Sequence, residues 1–422
     1  MRYLNVGSKG SYVMQIQSIL KKLSYFNSKI DGIYGAKTAD AVKKFQHDYG
    51  LFISGGVDFI TWNILDRYIY GFDNYRIQEG DTLYKIAKLY GTDIDLIRSA
   101  NPNVNELNLQ ISSSIVVPYK IDIVPIDIEY TYEICQKIIK GLKVRYPFIE
   151  IGSAGKSVLG KNLDYIRIGT GSNKVFINAA YHAIEWITTP LVLKFAEDLL
   201  KRNMNDSYLM GHRIRDVLNR TSLYVVPMVN PDGVDLVNEG LSTDNPYYEE
   251  LIKFQNKGVN FHNQWKANIR GVDLNKNYPA NWEKEKAQEI AEGITRPAPA
   301  RFGGNFPLSE PETIGMVGFT NLSNFDLTIS YHTQRKEIYW TYGSYTPNGA
   351  REYAEKFQKV SGYTLKANPS EAAYAGYKDW FIETHKKPGF TVEAGIGANP
   401  LPIEQLGQIY RDNELLMFSA LL

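Results

Sequence analysis

The strongest constraint on the fold is an alternation of apolar, strand-length runs with helical stretches, which begins near residue 121 and continues to the C-terminus. The helical stretches cover about residues 189–202, 350–360 and 404–418. The strand-like runs read LDYIRIG, KVFINAA, SLYVVPMV, FDLTISYH and PGFTVEAG. Strands this apolar need cover on both faces. The pattern predicts an α/β domain over residues 121–422, with a mixed central sheet flanked by helices.

A different pattern fills residues 1–69. Apolar residues at helical spacing precede two turns, Asp31-Gly32 and Tyr34-Gly35, and a second helix is expected from about residue 37 to 49. These signals predict a small helical bundle. Their order, with Gly7 and Gly10 before the first helix and Thr61-Trp62 near the end, resembles the peptidoglycan-binding domain 1 family.

Residues 75–120 predict a β-α-α-β module. A strand leads into the turn Gly80-Asp81-Thr82, two helices follow with a break at Gly91-Thr92, and a closing strand ends near Pro118. This segment resembles a LysM domain, whose family binds glycans that contain N-acetylglucosamine. It departs from the family at Ser112-Ser113, where a glycine is usual, which makes the geometry of that turn the open question.

Charge and composition exclude several classes of partner. Lys plus Arg number 47 and Asp plus Glu number 46, so bulk charge recruits neither nucleic acid nor an anionic membrane. The single cysteine, Cys135, excludes a disulfide framework. The N-terminus has no signal-peptide pattern, and no apolar run is long enough to span a membrane. A leaderless protein of this kind fits retention in a sporulating mother cell, association with the spore, or release on lysis.

Three residues suit a metal site. His182 and Glu185 follow an apolar strand and lie three positions apart, so one helical turn presents both side chains on one face. Such a pair is common by chance, and a zinc ion with an open position needs a third protein ligand. His332 is the best candidate because it ends the strand FDLTISYH, whereas His47, His212, His262 and His385 lie in a different module or in polar surroundings.

Hydrolysis at such a metal also needs a carboxylate that is not a ligand, because a proton must reach the leaving amine. Glu393 lies in the short apolar strand PGFTVEAG. A carboxylate there is costly to bury without a partner. Glu393 is therefore either the catalytic base or a paired structural carboxylate.

The motifs around these residues resemble the zinc carboxypeptidases from about residue 145 to the end. They are the strand before His182, VVPMVNPDGVD, RGVDLNKNYPANW, SYHTQ and DWFIETHKKPGFTVEAG. The resemblance implies one zinc ion bound by His182, Glu185 and His332, with Glu393 as general base and acid. It also implies that Arg270 stabilises the oxyanion and that Asp273 orients a zinc-bound histidine.

The resemblance is incomplete where the substrate would bind. Asn275 matches one half of an Asn-Arg pair that holds a terminal carboxylate, but the other half is Lys276, which lacks the bidentate fork of arginine. Tyr374, with Tyr377 as its rival, matches the aromatic residue that closes over substrate. Lys378 falls at the specificity-pocket position, where a cation favours a carboxylate-bearing side chain such as that of meso-diaminopimelate, unless it is an ordinary surface lysine.

The combination of the three segments resembles the γ-D-glutamyl-L-diamino acid endopeptidases of spore-forming bacteria. It implies an enzyme of the cell wall in which the two N-terminal modules bind peptidoglycan glycan strands and the zinc site cleaves the stem peptide between γ-D-glutamate and meso-diaminopimelate or Lys. One alternative is a carboxypeptidase that trims the end of the stem. Another is a wall-binding protein without catalytic activity.

Overall fold

The computed structural model describes residues 3–367 and 374–422, which form two compact units. The N-terminal unit extends to residue 129 and also includes residues 133–150, and the C-terminal unit contains residues 130–132 and those from 151 onward. The domain boundaries 1–69, 75–120 and 121–422 stay a prediction. Residues 121–129 and most of the helix that follows them lie with the N-terminal unit.

Three helices form the first module of the N-terminal unit: α1 (Ser11–Lys22), α2 (Ala36–Asp48) and α3 (Phe59–Tyr70). The first two match the helices expected from the apolar spacing. Buried Val13, Phe45 and Trp62, one from each helix, contribute to a common core. Asp58 begins α3 by accepting a hydrogen bond from the backbone N–H of Thr61, as an N-cap residue should.

The second module has the expected β-α-α-β order: β1 (Phe72–Arg76), α4 (Leu83–Tyr90), α5 (Ile94–Ala100) and β2 (Ser114–Pro118). The two strands pair antiparallel, with Phe72 opposite Pro118. Ser112 has φ of 67°, in the left-handed region that glycine adopts most easily. The turn therefore forms with serine in place of the usual glycine.

Helix α6 (Tyr132–Arg145) packs against these two modules within the N-terminal unit. Arg145 is buried and donates hydrogen bonds to the backbone carbonyls of Gly71, Tyr119 and Ile121. The ring of Tyr119, which follows β2, stacks on Tyr68 of α3 with centroids 4.5 Å apart. These contacts tie the end of the first module, the end of the second and α6 together.

The C-terminal unit is built around an eight-stranded mixed sheet with the strand order β11-β10-β12-β9-β5-β8-β4-β3. Strands β12, β9, β5 and β8 run parallel, while β4 and β10 are antiparallel to their neighbours β8 and β12. A separate hairpin contains β6 and β7. The strands are β3 (Glu150–Lys156), β4 (Asn162–Ile168), β5 (Asn173–Ala179), β6 (Tyr208–Leu209), β7 (His212–Arg213), β8 (Thr221–Val226), β9 (Leu327–His332), β10 (Glu337–Tyr339), β11 (Thr364–Lys366) and β12 (Gly389–Glu393).

Helices cover this sheet, which confirms the predicted α/β architecture. They are α7 (Thr188–Met204), α8 (Ile214–Arg220), α9 (Pro231–Glu239), α10 (Tyr248–Gln255), α11 (Phe261–Gln264), α12 (Trp282–Ala291), α13 (Pro311–Ser323), α14 (Ala350–Ser361), α15 (Tyr377–His385) and α16 (Leu406–Ser419). Helices α7, α14 and α16 are those expected from the sequence. Every residue of β8 and β9 is buried, as parallel central strands require. Among the described residues, no helix is both long and apolar enough to cross a membrane.

Candidate metal and catalytic site

The parallel strands of the C-terminal unit bring the predicted site residues to one edge of the sheet. His182 follows β5, His332 is the last residue of β9, and Glu393 is the last residue of β12. In the strand register Glu393 lies directly opposite His332. Side chains at the carboxyl ends of adjacent parallel strands converge, which is why these edges form sites in α/β folds.

His182, Glu185 and His332 form a tight cluster. The Nδ1 atom of His182 lies 2.9 Å from Oε1 of Glu185, and Nδ1 of His332 lies 3.0 Å from Oε2. One ligand atom from each residue lies within 4.8 Å of the others, and no other such group of three occurs among the described residues. Glu185 ends a 3₁₀ helix, Ala183–Glu185, rather than an α-helical turn, but the three-residue spacing still places it beside His182.

The chemistry of this cluster fits a bound cation. Two imidazoles and one carboxylate are a donor set that zinc accepts, with a fourth position open for water or substrate. Burial alone would lower the pKa of His182, but the carboxylates of Glu185 and Asp273 raise it to about 10. The surroundings therefore stabilise positive charge at this point.

Asp273 lies behind His182. Its Oδ1 atom is 3.1 Å from Nε2 of His182, and its Oδ2 accepts a hydrogen bond from the backbone N–H of Arg301. Burial would raise the pKa of Asp273, but the adjacent His182 holds it well below its usual value. The ionised carboxylate can therefore fix the orientation of the ring, so that the opposite nitrogen faces Glu185.

Glu393 lies partly buried beside the cluster but is not one of its three members. Burial, with a smaller effect of the Glu185 carboxylate, raises the pKa of Glu393 to about 8, while His182 and Lys266 act in the opposite direction. A carboxylate that holds a proton this readily suits transfer of that proton to a leaving group.

Lys266 and Asn399 contact the cluster, and neither is predicted from the sequence. Both side-chain nitrogens lie 3.3 Å from Oε1 of Glu185. The negative charge of Glu185 raises the pKa of Lys266, against the opposing effect of burial, so its ammonium stays protonated. Lys266 lies four residues before Arg270 in the segment WKANIRGVD, so the sequence offered two candidate cations there.

Arg270 has different neighbours. Its Nε atom donates to Oη of Tyr247, and its Nη1 lies 3.6 Å from Oε2 of the buried Glu310. Within the described part of the chain, its side-chain contacts do not include the three ligand candidates. In this structure the cation beside Glu185 is therefore Lys266, while Arg270 contacts Glu310 and Tyr247.

Asn275 and Lys276 are engaged with other protein groups. The amide oxygen of Asn275 accepts a hydrogen bond from the N–H of Tyr377, and its Nδ2 lies 3.4 Å from Nε2 of His332. Nζ of Lys276 lies 2.8 Å from Oε2 of Glu285, a carboxylate that is fully buried in α12. Both residues that the family pattern assigns to a terminal carboxylate thus contact protein groups in this structure.

Lys378 is buried, which makes a surface role untenable. Its Nζ donates to the carbonyl of Thr341 and to Asp379, and the side chains of this Lys-Asp pair are each only 5% exposed. A Cβ atom on Gly376 would lie 3.0 Å from Oδ2 of Asp379 and 3.2 Å from Oδ1 of Asn275. Gly376 therefore leaves space between the Lys378–Asp379 pair and Asn275, whose side chain contacts His332.

The two tyrosines proposed to close over substrate differ in placement. Tyr377 is fully buried, and its hydroxyl group hydrogen-bonds with that of Thr320. Tyr374 is partly exposed, and Nζ of Lys284 lies 5.6 Å from the centre of its ring. Of the two, Tyr374 is the one whose side chain reaches solvent, and its role in covering substrate stays a prediction.

Asn399→Ala is expected to weaken zinc affinity by about tenfold or more, because the side chain supports a candidate metal ligand from outside. Its amide contacts both Glu185 and the carbonyl of Thr333, which holds the Glu185 carboxylate in place. Zinc affinity measured by competition with a chromogenic chelator tests this expectation. Asn305→Ala, in an exposed loop, is the control. Equal affinities for the two variants would contradict a supporting role for Asn399.

Comparisons with known proteins agree with this geometry. The profile of the zinc carboxypeptidase family matches residues 135–415. Those of a putative peptidoglycan binding domain and the LysM domain match residues 9–65 and 75–118. Both N-terminal resemblances are thereby confirmed.

Two bacterial relatives share much of the chain. Gamma-D-glutamyl-L-diamino acid endopeptidase 1 of Lysinibacillus sphaericus is 41% identical over 283 residues, which cover 67% of this chain and 70% of that protein. The uncharacterized protein YqgT of Bacillus subtilis is 36% identical over 340 residues, or 80% of this chain and 87% of that protein. The first of these similarities agrees with the resemblance read from the sequence.

Solved structures of carboxypeptidases share the fold. The carboxypeptidase A of Helicoverpa armigera superposes with a TM-score of 0.52 at 18% identity, covering 92% of this chain and 95% of that one. Thrombin activatable fibrinolysis inhibitor gives a TM-score of 0.53 at 19% identity, covering 69% and 76%. At these identities the likeness establishes the architecture alone.

Proposed function

The chain belongs to the zinc carboxypeptidase family, and from that premise we propose that it hydrolyses the bond between γ-D-glutamate and the diamino acid of peptidoglycan stem peptides. The relative from Lysinibacillus sphaericus, 41% identical, carries that activity in its name. The peptidoglycan-binding and LysM domains support a substrate in the cell wall. The single observation that favours an endopeptidase over a carboxypeptidase is the ion pair between Lys276 and Glu285.

A strict carboxypeptidase needs a fixed, unpaired cation to hold the carboxylate at the end of its substrate. In this chain Glu285 neutralises Lys276 at 2.8 Å, and the side chain of Lys276 is only 19% exposed. Asn275 is committed to Tyr377 and His332. A free terminal carboxylate would therefore gain little binding energy from Lys276 and Asn275. A stem that continues past the diamino acid would lose none.

In the proposed reaction His182, Glu185 and His332 would hold one zinc ion, which would supply Lewis-acid polarisation of the scissile carbonyl and make water easier to deprotonate. Glu393 takes a proton from the attacking water and gives it to the amine of the diamino acid as the C–N bond breaks. Lys266 stabilises the negative charge that develops on the carbonyl oxygen. Asp273 keeps the ring of His182 in its binding orientation.

We propose that the pair Lys378–Asp379 selects the diamino acid. One cation and one anion, both buried, match a side chain that ends in both a carboxylate and an ammonium group, as meso-diaminopimelate does. Lysine, which ends in an ammonium alone, matches only Asp379. Tyr374 is proposed to cover the bound peptide.

The N-terminal modules are proposed to bind glycan strands. A weak interaction there raises the effective concentration of the linked catalytic site at nearby stem peptides. The modules thus act through proximity, and activity on soluble stem peptides should not depend on them.

Mass spectrometry of defined stem peptides tests the function. We expect wild-type protein to release L-Ala-γ-D-Glu from tripeptide and tetrapeptide stems, and to do so when the terminal carboxylate is amidated. Stems with meso-diaminopimelate should be cleaved faster than stems with Lys. Loss of only the fourth residue from the tetrapeptide stem, and only when its terminus is unblocked, would identify a carboxypeptidase, and no cleavage by zinc-loaded protein would favour a binding protein.

Glu285→Gln is expected to improve hydrolysis of stems that end directly after the diamino acid, because Lys276 becomes an unpaired cation. A fall in KM of about fivefold for the free acid, with no change for its amide, corresponds to one modest ion pair. Glu289→Gln is the matched control, since Glu289 lies on the same helix and pairs with Lys286 instead. A similar change in both variants would show that the Lys276–Glu285 pair does not govern this choice.

A further inference from the structure

One cavity in the C-terminal unit carries an excess of positive charge. It has a volume of about 400 Å³ and lies between α10 and the segment that follows α12. Its polar lining includes three cations, Lys253, Lys257 and Arg296, but only one carboxylate, Glu250, while Phe254 contributes an apolar wall. We call it the cation pocket. It shares no lining residue with the metal cluster.

The three cations of the cation pocket have no hydrogen bond or ion pair through their side chains in the part of the chain that the structure describes. Basic residues nearer the metal cluster are paired: Lys266 with Glu185 and Lys276 with Glu285. Three like charges around one concave surface create a positive potential that attracts anions. The apolar wall adds contact area for the carbon skeleton to which the anion is attached.

Residues from both walls of the cation pocket contact the loop that carries Lys266. The ring of Phe254 meets that of Trp265, the residue before Lys266, with centroids 5.3 Å apart. On the opposite wall, the N–H of Ala298 donates to the carbonyl of Gly271. The carbonyl of Pro299, next in the chain, accepts from the N–H of Lys266. A ligand in the pocket would therefore contact residues that pack against the loop carrying Lys266.

We propose that the cation pocket binds a carboxylate of a second stem peptide, cross-linked to the one that is cleaved. This inference rests on the proposed function. In the proposed reaction, the groups that flank the scissile bond contact Lys266 and the metal cluster. The cation pocket is formed by other residues, so it would bind a part of the polymer farther from that bond. Cross-linked stems carry free carboxylates beyond the cleaved bond, on short aliphatic chains that suit Phe254.

The test compares a soluble stem monomer with a cross-linked stem dimer, using the full chain loaded with zinc. Replacing Lys253, Lys257 and Arg296 together by alanine should raise KM for the dimer by about tenfold, the combined effect of three exposed ion pairs. The value of kcat, and KM for the monomer, should stay unchanged. Glu250→Gln should act in the opposite direction, because it removes the one competing carboxylate.

Lys359→Ala serves as the control, because Lys359 is an exposed cation on α14, away from the pocket lining. Added salt should reduce the preference of the wild type for the dimer and leave the triple variant unaffected. Equal effects of the triple substitution on monomer and dimer, or none on either, would overturn the subsite. Failure of wild-type protein to cleave even the monomer would instead count against the proposed function.

Discussion

Glu393→Gln is expected to lower kcat for stem-peptide hydrolysis by a factor of about a thousand, within the range for loss of a general acid–base group. Glutamine keeps the shape of the side chain but cannot accept a proton from water or give one to the leaving amine. Glu393 is not one of the three clustered ligand candidates, so the variant should keep its zinc. Steady-state kinetics on a soluble stem peptide, with zinc content measured on the same sample, test both statements.

The matched control is Glu337→Gln. Glu337 lies opposite Glu393 in the strand pair β10–β12, and its side chain accepts a hydrogen bond from Tyr339. Its substitution removes a carboxylate from the same neighbourhood without touching the proposed proton path, so activity should stay within about threefold of wild type. If Glu393→Gln retained a tenth of the activity or more, a different group would have to act as the base.

The sequence predicts the parts of the site that depend on strand ends. Parallel strands place their carboxyl ends together, so His182, His332 and Glu393 can be grouped from three apolar runs and the residues that end them. The α/β alternation itself follows from the same runs. Both inferences need only local patterns and one rule of topology.

The sequence does not reveal contacts that depend on distant loops. Asn399 reaches Glu185 across 214 residues, and nothing in its local sequence marks it. Glu285 belongs to an ordinary charged helix, and only the packing of α12 brings it to Lys276. Two cations four residues apart, Lys266 and Arg270, cannot be distinguished until the conformation of their loop is known. Tertiary contacts therefore decide the electrostatics of the site.

Ion pairs are also common to the lysines on which the proposed specificity depends. A carboxylate offsets each lysine beside the catalytic centre: Glu185 for Lys266, Glu285 for Lys276 and Asp379 for Lys378. Paired charges hold their geometry but offer little to a lone carboxylate on the substrate. A zwitterionic group or an uncharged peptide suits such a site better than a free C-terminus.

Lys266→Ala is expected to lower kcat by a factor of about 10² to 10³, the usual effect of removing an oxyanion donor. The ammonium lies 3.3 Å from Glu185, and the backbone of Lys266 is fixed from both sides: its N–H donates to Pro299 and its carbonyl accepts from Ala183, the residue after His182. A cation whose backbone is fixed beside the metal-ligand candidates can stabilise developing charge without rearrangement. Lys266→Arg keeps the charge and should recover part of the rate.

Arg270→Ala is the decisive comparison, because sequence resemblance alone would give it the same large effect. In the structure its guanidinium pairs with Glu310 and Tyr247, so its loss should cost stability more than catalysis, with kcat within about threefold of wild type. Measuring kcat and thermal unfolding for both variants separates the two roles. A large loss of kcat in Arg270→Ala with little change in Lys266→Ala would mean that the arginine moves to the oxyanion when substrate binds, and that its contacts with Glu310 and Tyr247 break in the working enzyme.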